Sequence, residues 1–169
     1  MGELYTAIDE KLKRQVVLKF LPLSMTSDKQ IKQRFLQEAQ AAATMEHKNI
    51  CAIYEVGETI DNRLFIAMAY YSGQTLKHKI KTTSLSINEI IDITIQIAHG
   101  LARAHKSQII HRDIKPSNII ITDDNEVKII DFGLAKLSNW TIKSHEKLIL
   151  GTLVYMSPEQ IYGGKIDHR

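Results

Sequence analysis

This chain of 169 residues has only one cysteine and a small formal net charge of +3. A single cysteine excludes a disulfide within the chain, and Cys51 lies in an apolar run, residues 49–56, where it is expected to pack as a small hydrophobe. The small charge gives no reason to expect a nucleic-acid or membrane-surface partner. No apolar run approaches the roughly eighteen residues that a membrane-spanning helix needs.

The first part of the chain has the pattern of strands with one helix among them. Residues 3–7 and 14–21 are predicted strands, and residues 50–56 and 63–70 are predicted to form a hairpin. Between these pairs, Ser27 and Gln30 have the spacing of a capping box, at the start of a helix predicted to end near Met45. The apolar face of that helix comprises Ile31, Phe35, Ala39 and Ala42.

Helical periodicity dominates after a predicted connector at residues 72–75. Ser86 and Glu89 form a second capping box, and an apolar stripe follows at Ile90, Ile93, Ile97, Leu101 and Ala104. Short strands are predicted at 109–111, 119–122 and 127–130, and residues 134–150 are predicted to be a long loop. This order of elements predicts an α+β protein of two lobes, with the boundary near residues 69–73 and a cleft between the lobes.

The stretch IIHRDIKPSNIIITDDNEVKIIDFG, residues 109–133, places ionisable side chains at the ends of apolar strands. Asp113, Asn118 and Asp131 would meet at one edge, where two of their oxygen donors suit magnesium and Asp113 can act on a substrate hydroxyl. Lys115 is placed to neutralise charge on a transferring phosphoryl group. For any one of these residues alone, a solvated turn is the favoured interpretation, but the combination at this spacing argues against it.

HRDIKPSN followed by DFG resembles the signature of a protein kinase catalytic domain. The resemblance extends over nearly the whole chain. VVLKF resembles the strand that carries the phosphate-binding lysine, here Lys19, and RFLQEA resembles the helix that carries its partner glutamate, here Glu38. A lone lysine in a strand or glutamate in a helix is ordinarily a surface residue, so these assignments depend on their order relative to the later motifs.

FIAMAYYSGQTL resembles the segment between kinase lobes that binds adenine through its backbone. The resemblance implies that Met68 lies at the back of the pocket, and that Ala69 and Tyr71 offer a carbonyl and an N–H. It also implies that adenine lies between Val17 and Ile120. Backbone contacts require no particular side chain, so the alignment alone supports the positions in this segment.

GTLVYMSPEQ, residues 151–160, resembles the end of an activation segment. The resemblance implies that Thr152 bonds to Asp113 and Lys115, although an ordinary loop threonine would look the same in sequence. Lys115 together with Gly151-Thr152 is typical of serine/threonine kinases, and the phrases HKNICAIYEVGE and GTLVYMSPEQI resemble their bacterial branch.

The resemblance implies an ATP- and Mg²⁺-dependent enzyme that phosphorylates serine or threonine hydroxyls of proteins. The expected fold is bilobal, with a strand-rich N-lobe at 1–68 and a helical C-lobe at 69–169. We expect a cytoplasmic location, with possible membrane anchoring or additional domains supplied by segments of a full-length protein.

Four features depart from the family pattern. First, only Gly2 matches the three glycines of the phosphate-covering loop, and the first strand of the family pattern is missing. Second, the sequence stops before the segment that would form the central helix of the C-lobe. We therefore expect a fragment of a longer protein. Val17 stands where alanine is usual. Leu148 stands where many members carry a phosphothreonine, although Arg112 and Lys136 match the basic pocket for such a phosphate.

Two other function classes compete with an active kinase. A pseudokinase-like module would bind nucleotide or partners without catalysis, and the missing glycines favour it, whereas the presence of all the expected catalytic side chains opposes it. A small-molecule phosphotransferase of related fold is disfavoured by Lys115 and by GTLVYMSPEQ, because such enzymes lack that protein-docking segment.

Overall fold

The computed structural model describes residues 3–22, 29–132, 154–164 and 166–168. In chain order, its elements are β1 (Leu4–Asp9), β2 (Arg14–Phe20), α1 (Lys29–Ala43), β3 (Ile53–Glu58), β4 (Leu64–Ala69), β5 (Gly73–Thr75), α2 (Leu76–Thr82), α3 (Ile87–Lys106), a 3₁₀ turn (Pro116–Asn118), β6 (Ile119–Thr122), β7 (Val127–Ile129) and α4 (Pro158–Ile161).

The first four strands form an antiparallel sheet in the order β1-β2-β4-β3, with α1 packed beside it. Side chains that alternate along β4 and recur along α1 are buried together, as the two periodicities require. We call this group the sheet core; its buried members are Leu21, Ile31, Phe35, Ala39, Cys51, Leu64, Ile66 and Met68.

The second sheet is a short antiparallel one, in the order β5-β6-β7. Gly73 begins it with φ of +140°, and a Cβ at this position would lie 2.2 Å from the carbonyl oxygen of Ile121. Only glycine therefore allows β5 to approach β6 so closely. The predicted connector at residues 72–75 is thus partly a strand.

The long helix α3 starts at the predicted capping box, where Ser86 Oγ accepts from the Glu89 N–H and the Glu89 carboxylate accepts from the Ser86 N–H. Four residues of its apolar stripe, Ile93, Ile97, Leu101 and Ala104, pack in one cluster with β6 and β7, whereas Ile90 is exposed. We call this group the loop core, because the loop at residues 111–118 lies on it; this loop is called the catalytic loop below for its resemblance to that of kinases. The buried members of the loop core are Ala42, Met45, Ile50, Leu76, Ile93, Ala104, Ile119, Ile121, Val127, Ile129 and Phe132.

The segment from Asn49 to Cys51 joins the two halves through Ile129. The Ile129 N–H donates to Asn49 O, and the Cys51 N–H donates to Ile129 O, both at 2.9 Å. This parallel bridge brings β7 beside the sheet core. The residues that follow β7, including Asp131, thereby reach the end of the sheet that carries Lys19.

Two predicted strands differ from the structure. Residues 109–111 are not a strand, because the Ile109 N–H donates to Ala104 O and closes the end of α3 instead of pairing with a neighbouring strand. The strand predicted at 50–56 begins at Ile53, since Ile50 and Cys51 are used by the bridge to Ile129. The α+β class and the other predicted strands and helices within the described ranges agree with the structure, whereas α2 and α4 were not predicted as separate helices.

Candidate active site

The catalytic loop brings together three of the predicted residues. Asp113 Oδ2 accepts from Lys115 Nζ at 2.7 Å and from Asn118 Nδ2 at 3.0 Å. Asn118 Nδ2 also donates to Asp113 O at 2.8 Å, which the 3₁₀ turn at Pro116–Asn118 makes possible. The other carboxylate oxygen, Oδ1, is buried and has no hydrogen-bond partner among the described residues.

His111 packs under this loop and is almost fully buried. Its Nδ1 accepts from the Asp113 N–H at 3.2 Å, so its Nε2–H is the donor to Ile130 O at 2.8 Å. Burial lowers the pKa of His111, which favours this neutral form. The ring also meets Phe132 edge-on, with centroids 4.7 Å apart, and fixes the loop against the loop core.

Lys19 and Asp131 form an ion pair across the two halves of the molecule, with Nζ 2.6 Å from Oδ1. The expected pair of Lys19 with Glu38 is therefore not the one that forms. Both members of the observed pair are largely shielded from solvent, so their charges are weakly screened and attract each other strongly. Glu38 lies half-buried on α1.

Backbone strain occurs at two positions in the site. Arg112 and Asp131 both have φ of +67°, in the left-handed region that non-glycine residues rarely adopt. Each such residue costs on the order of 1–3 kcal/mol and persists where the surroundings hold it. Arg112 immediately precedes Asp113, and Asp131 is itself one of the predicted carboxylates, so both strained positions lie at residues assigned to the chemistry.

The residues assigned to a nucleotide pocket lie on strands of both sheets. Val17 on β2 is paired with Met68 on β4, and Ile120 is the isoleucine of β6 that points away from the loop core. Ala69 ends β4, and its N–H donates to Ala52 O at 2.9 Å. Tyr71 follows, and its hydroxyl accepts from the Ala52 N–H at 3.3 Å, which fixes the backbone of this segment.

The donor set at the cleft suits a magnesium–nucleotide complex. The Asn118 amide nitrogen is engaged by Asp113, which leaves the amide oxygen as the ligand atom, and Asp131 supplies a carboxylate. Two protein oxygens are what Mg²⁺ typically takes when phosphates and waters complete its shell. Within the described ranges, no group of three or more His, Cys, Asp or Glu side chains is arranged to hold a metal ion.

Some predicted residues lie outside the described ranges, namely Gly2, Lys136, Leu148, Gly151 and Thr152. The predicted bonds of Thr152 to Asp113 and Lys115 therefore stay predictions. Among the helices that are described, none is both long enough and apolar enough to cross a membrane.

Two polar side chains that make tertiary contacts, Gln160 and Asn49, were missed from the sequence. Gln160 Nε2 donates to Arg112 O at 2.6 Å, and the capping-box spacing of Ser157 and Gln160 could have drawn attention to this side chain. Asn49 Nδ2 donates to Val127 O at 3.0 Å and to Gln96 Oε1 at 3.1 Å. No local signal marks Asn49, because its partners lie far away in sequence.

Comparison with known proteins agrees with this geometry. The sequence profile of the protein kinase domain matches residues 1–169. Serine/threonine-protein kinase PrkC of Bacillus subtilis (strain 168) is 41% identical over 165 residues, covering 97% of this chain and 25% of PrkC. Serine/threonine-protein kinase PknA of Mycobacterium tuberculosis (strain ATCC 25177 / H37Ra) is 34% identical over 168 residues, covering 96% of this chain and 39% of PknA.

The fold also matches a solved structure. A crystal structure of the Mycobacterium tuberculosis PknI kinase domain, determined as a double mutant, has a TM-score of 0.78 and 28% identity to this chain. The match covers 99% of this chain and 64% of that one, so the chain spans part of a kinase domain and about a quarter of the length of PrkC. These relatives are bacterial, as the sequence predicted. The chain belongs to the protein kinase domain family.

Proposed function

We propose that this chain is the catalytic part of an ATP-dependent kinase that phosphorylates serine or threonine hydroxyls of other proteins. Its two lobes are residues 1–68 and 69–169, and the nucleotide lies between them. The serine/threonine preference is supported by the names of PrkC and PknA and by the lysine that follows the catalytic aspartate.

The state of Asp113 is the observation that carries the proposal. Lys115 and Asn118 both bond to Oδ2, so they fix the carboxylate, while Oδ1 keeps its acceptor capacity. A buried carboxylate oxygen without a donor costs stability, and such groups are characteristic of functional sites. In the proposed role, Oδ1 accepts a hydrogen bond from the substrate hydroxyl, orients it for attack and then takes its proton.

Lys115 has a second role that follows from the same contact. Its ammonium lies 2.7 Å from the carboxylate that faces the hydroxyl, so it is close to the point where the phosphoryl group transfers. Positive charge at that point stabilises the charge that develops on the phosphoryl oxygens. Thr152 is proposed to hold Asp113 and Lys115 in register.

Lys19, Asn118 and Asp131 are proposed to hold the nucleotide phosphates. Lys19 binds the α- and β-phosphates, and Asn118 and Asp131 hold the metal. Bound Mg²⁺ supplies positive charge against the phosphate oxygens. The Lys19–Asp131 pair supports this assignment, because it already brings the phosphate-binding cation and the metal-binding carboxylate within 2.6 Å.

The adenine ring is proposed to lie between Val17 and Ile120, with Met68 behind it. Both aliphatic side chains are half-buried on strands, which leaves part of each surface for an apolar ring. Ala69 and Tyr71 offer backbone groups to the ring edge. Because main-chain groups make these contacts, we expect that substitution of side chains in this segment would leave the binding of purine nucleotides unchanged.

Substitution of Asp113 by Asn tests the proposal in the full-length kinase that contains this chain. The variant has almost the same shape but lacks the proton acceptor, so phosphotransfer from γ-³²P-ATP to a protein substrate should fall about 10²–10⁴-fold. Nucleotide affinity should stay within about twofold, because Asp113 is not among the residues proposed to contact the nucleotide or its metal.

Asp124→Asn is the matched control, since Asp124 lies exposed in the β6–β7 turn and the same change of charge there should leave the rate unaltered. Full activity of Asp113→Asn would refute the role of Asp113. A wild-type protein that binds nucleotide but transfers no phosphate would instead identify a pseudokinase-like module.

A further inference from the structure

The peptide group between Arg112 and Asp113 is held from both sides by side chains. Its N–H, from Asp113, donates to His111 Nδ1 at 3.2 Å. Its C=O, from Arg112, accepts from Gln160 Nε2 at 2.6 Å. This peptide group immediately precedes the side chain that the proposed mechanism uses as a base, so its orientation decides where the Asp113 carboxylate points.

The peptide group needs such support because the backbone beside it is strained. Arg112 has φ of +67°, which costs on the order of 1–3 kcal/mol relative to an ordinary conformation. Relaxation of φ at Arg112 would turn the chain about the N–Cα bond of Arg112, and so would rotate this peptide group and displace the carboxylate of Asp113. A single hydrogen bond to its N–H constrains this rotation less well than a bond on each side.

Gln160 is suited to this role because both ends of its side-chain amide are engaged. Its Oε1 accepts from the Ser157 N–H at 3.0 Å, at the start of α4, while its Nε2 donates to the catalytic loop. The first bond fixes the rotamer from which the second is made. Only a side chain with an acceptor and a donor can make both bonds, and glutamate keeps the first but loses the second.

We infer that Gln160 is a positioning residue for Asp113: it ties α4, at the end of the proposed activation segment, to the peptide group that aims the catalytic carboxylate. The inference rests on the proposed role of Asp113. The position of residues 157–160 and the orientation of Asp113 therefore depend on each other, because the Gln160 side-chain amide bonds to both segments.

Two substitutions in the full-length kinase separate the roles of Gln160. Gln160→Glu keeps the acceptor for Ser157 N–H, and a glutamate is itself a favoured capping-box residue, so α4 keeps its start. Gln160→Met has similar length but loses both bonds. Since small misplacements of a reacting group cost up to about 100-fold, both variants should lower kcat roughly 10- to 100-fold, with KM for ATP within about twofold of wild type.

Gln33→Glu on the exposed face of α1 is the control for the change of charge, and it should leave kcat unaltered. Thermal melting and nucleotide binding check that each variant is folded; if Gln160→Met unfolds, Gln160→Glu decides alone. A normal kcat in Gln160→Glu would overturn the inference, because the bond from the Ser157 N–H would then account for the role of Gln160 by itself. A normal kcat in folded Gln160→Met would also overturn it.

Failure of this inference can be told from failure of the proposed function. Asp113→Asn, measured alongside, reports on the base itself. If that variant is inactive while Gln160→Glu has normal kcat, the positioning role fails and the proposed function stands. If Asp113→Asn is fully active, the proposed function fails and the premise of the inference fails with it.

Discussion

The sheet core and the loop core are built from different kinds of side chain. The sheet core is made of aliphatic and aromatic groups with one thiol, Cys51. The three polar residues that are buried within the described ranges, Asn49, His111 and Asn118, all contact the segment from Val127 to Ile130, in or next to the loop core. One half of the molecule is thus held mainly by packing and the other by packing combined with directed hydrogen bonds.

This difference matches what each half contributes to the site. The sheet presents Lys19 from a regular strand, whose direction follows from strand pairing alone. The catalytic loop is irregular and strained, so pairing cannot fix it. Each buried polar side chain instead bonds to backbone: Asn49 to Val127 O, His111 to Ile130 O and Asn118 to Asp113 O. Directed bonds of this kind specify one conformation, but they make the loop core sensitive to loss of a single partner.

Of the predicted substitutions, Asn49→Asp should destabilise the loop core most. The carboxylate has the shape of the amide but no donor, so Val127 O and Gln96 Oε1 would face an acceptor in a buried place. We expect the free energy of unfolding to fall by about 3–5 kcal/mol at pH 7.5, measured by urea denaturation of the kinase domain.

Asn88→Asp provides the matched comparison for this prediction. Asn88 is exposed in the first turn of α3, where a negative charge interacts favourably with the helix dipole. The same substitution there should be neutral or slightly stabilising. A loss below about 1 kcal/mol in Asn49→Asp would show that packing alone holds the loop core.

The parts of the site that were predicted from the sequence are those whose spacing is local. Asp113, Lys115 and Asn118 lie within a few residues of one another, so the chain itself brings them together, and β6 and β7 follow from short apolar runs with a turn between them. The capping box of α3 is equally local.

The parts that could not be predicted depend on the meeting of distant segments. Lys19 pairs with Asp131 instead of Glu38 because the bridge at Ile50 and Ile129 sets where the end of β7 lies. The strand predicted at 109–111 fails for a similar reason: its composition suits a strand, but the Ile109 N–H bonds to Ala104 O at the end of α3 and no strand among the described residues pairs with it. Gln160 reaches Arg112 across 48 positions of sequence, a contact that only the tertiary structure defines.

The protonation of His111 should give the loop core a pH dependence. Burial lowers the pKa of His111 below its ordinary value of 6.5, so between those two values the unfolded chain binds more protons than the folded one. The free energy of unfolding should therefore fall as the pH is lowered from about 7.5 through that window.

Comparison with His111→Gln isolates this contribution. Glutamine can still donate to Ile130 O but does not titrate, so the variant should be less stable at pH 7.5 yet lose less stability on acidification. His47 and His105 also have lowered pKa values owing to burial, so some slope should remain. An unchanged slope in His111→Gln would contradict a neutral, buried His111.

The smallest expected effect is the alkylation of Cys51 in the native protein, because burial in the sheet core keeps this thiol unreactive. Burial, with a smaller contribution from the nearby charge of Asp131, raises the pKa of Cys51 to about 12. Only the thiolate reacts with iodoacetamide, so native protein at pH 7.5 should show almost no labelling of the tryptic peptide 49–63 by mass spectrometry, whereas protein in urea should label fully.

The same measurement shows whether the two cores open together. The Cys51 N–H donates to Ile129 O, and Ile129 N–H donates to Asn49 O, so the thiol lies two residues from the group that Asn49→Asp disrupts. If the cores form one cooperative unit, labelling of Cys51 in Asn49→Asp should accelerate by the factor by which its unfolding equilibrium rises. Labelling as slow as in wild type would mean that the loop core opens while the sheet core stays closed, and that the bridge at Ile129 breaks first.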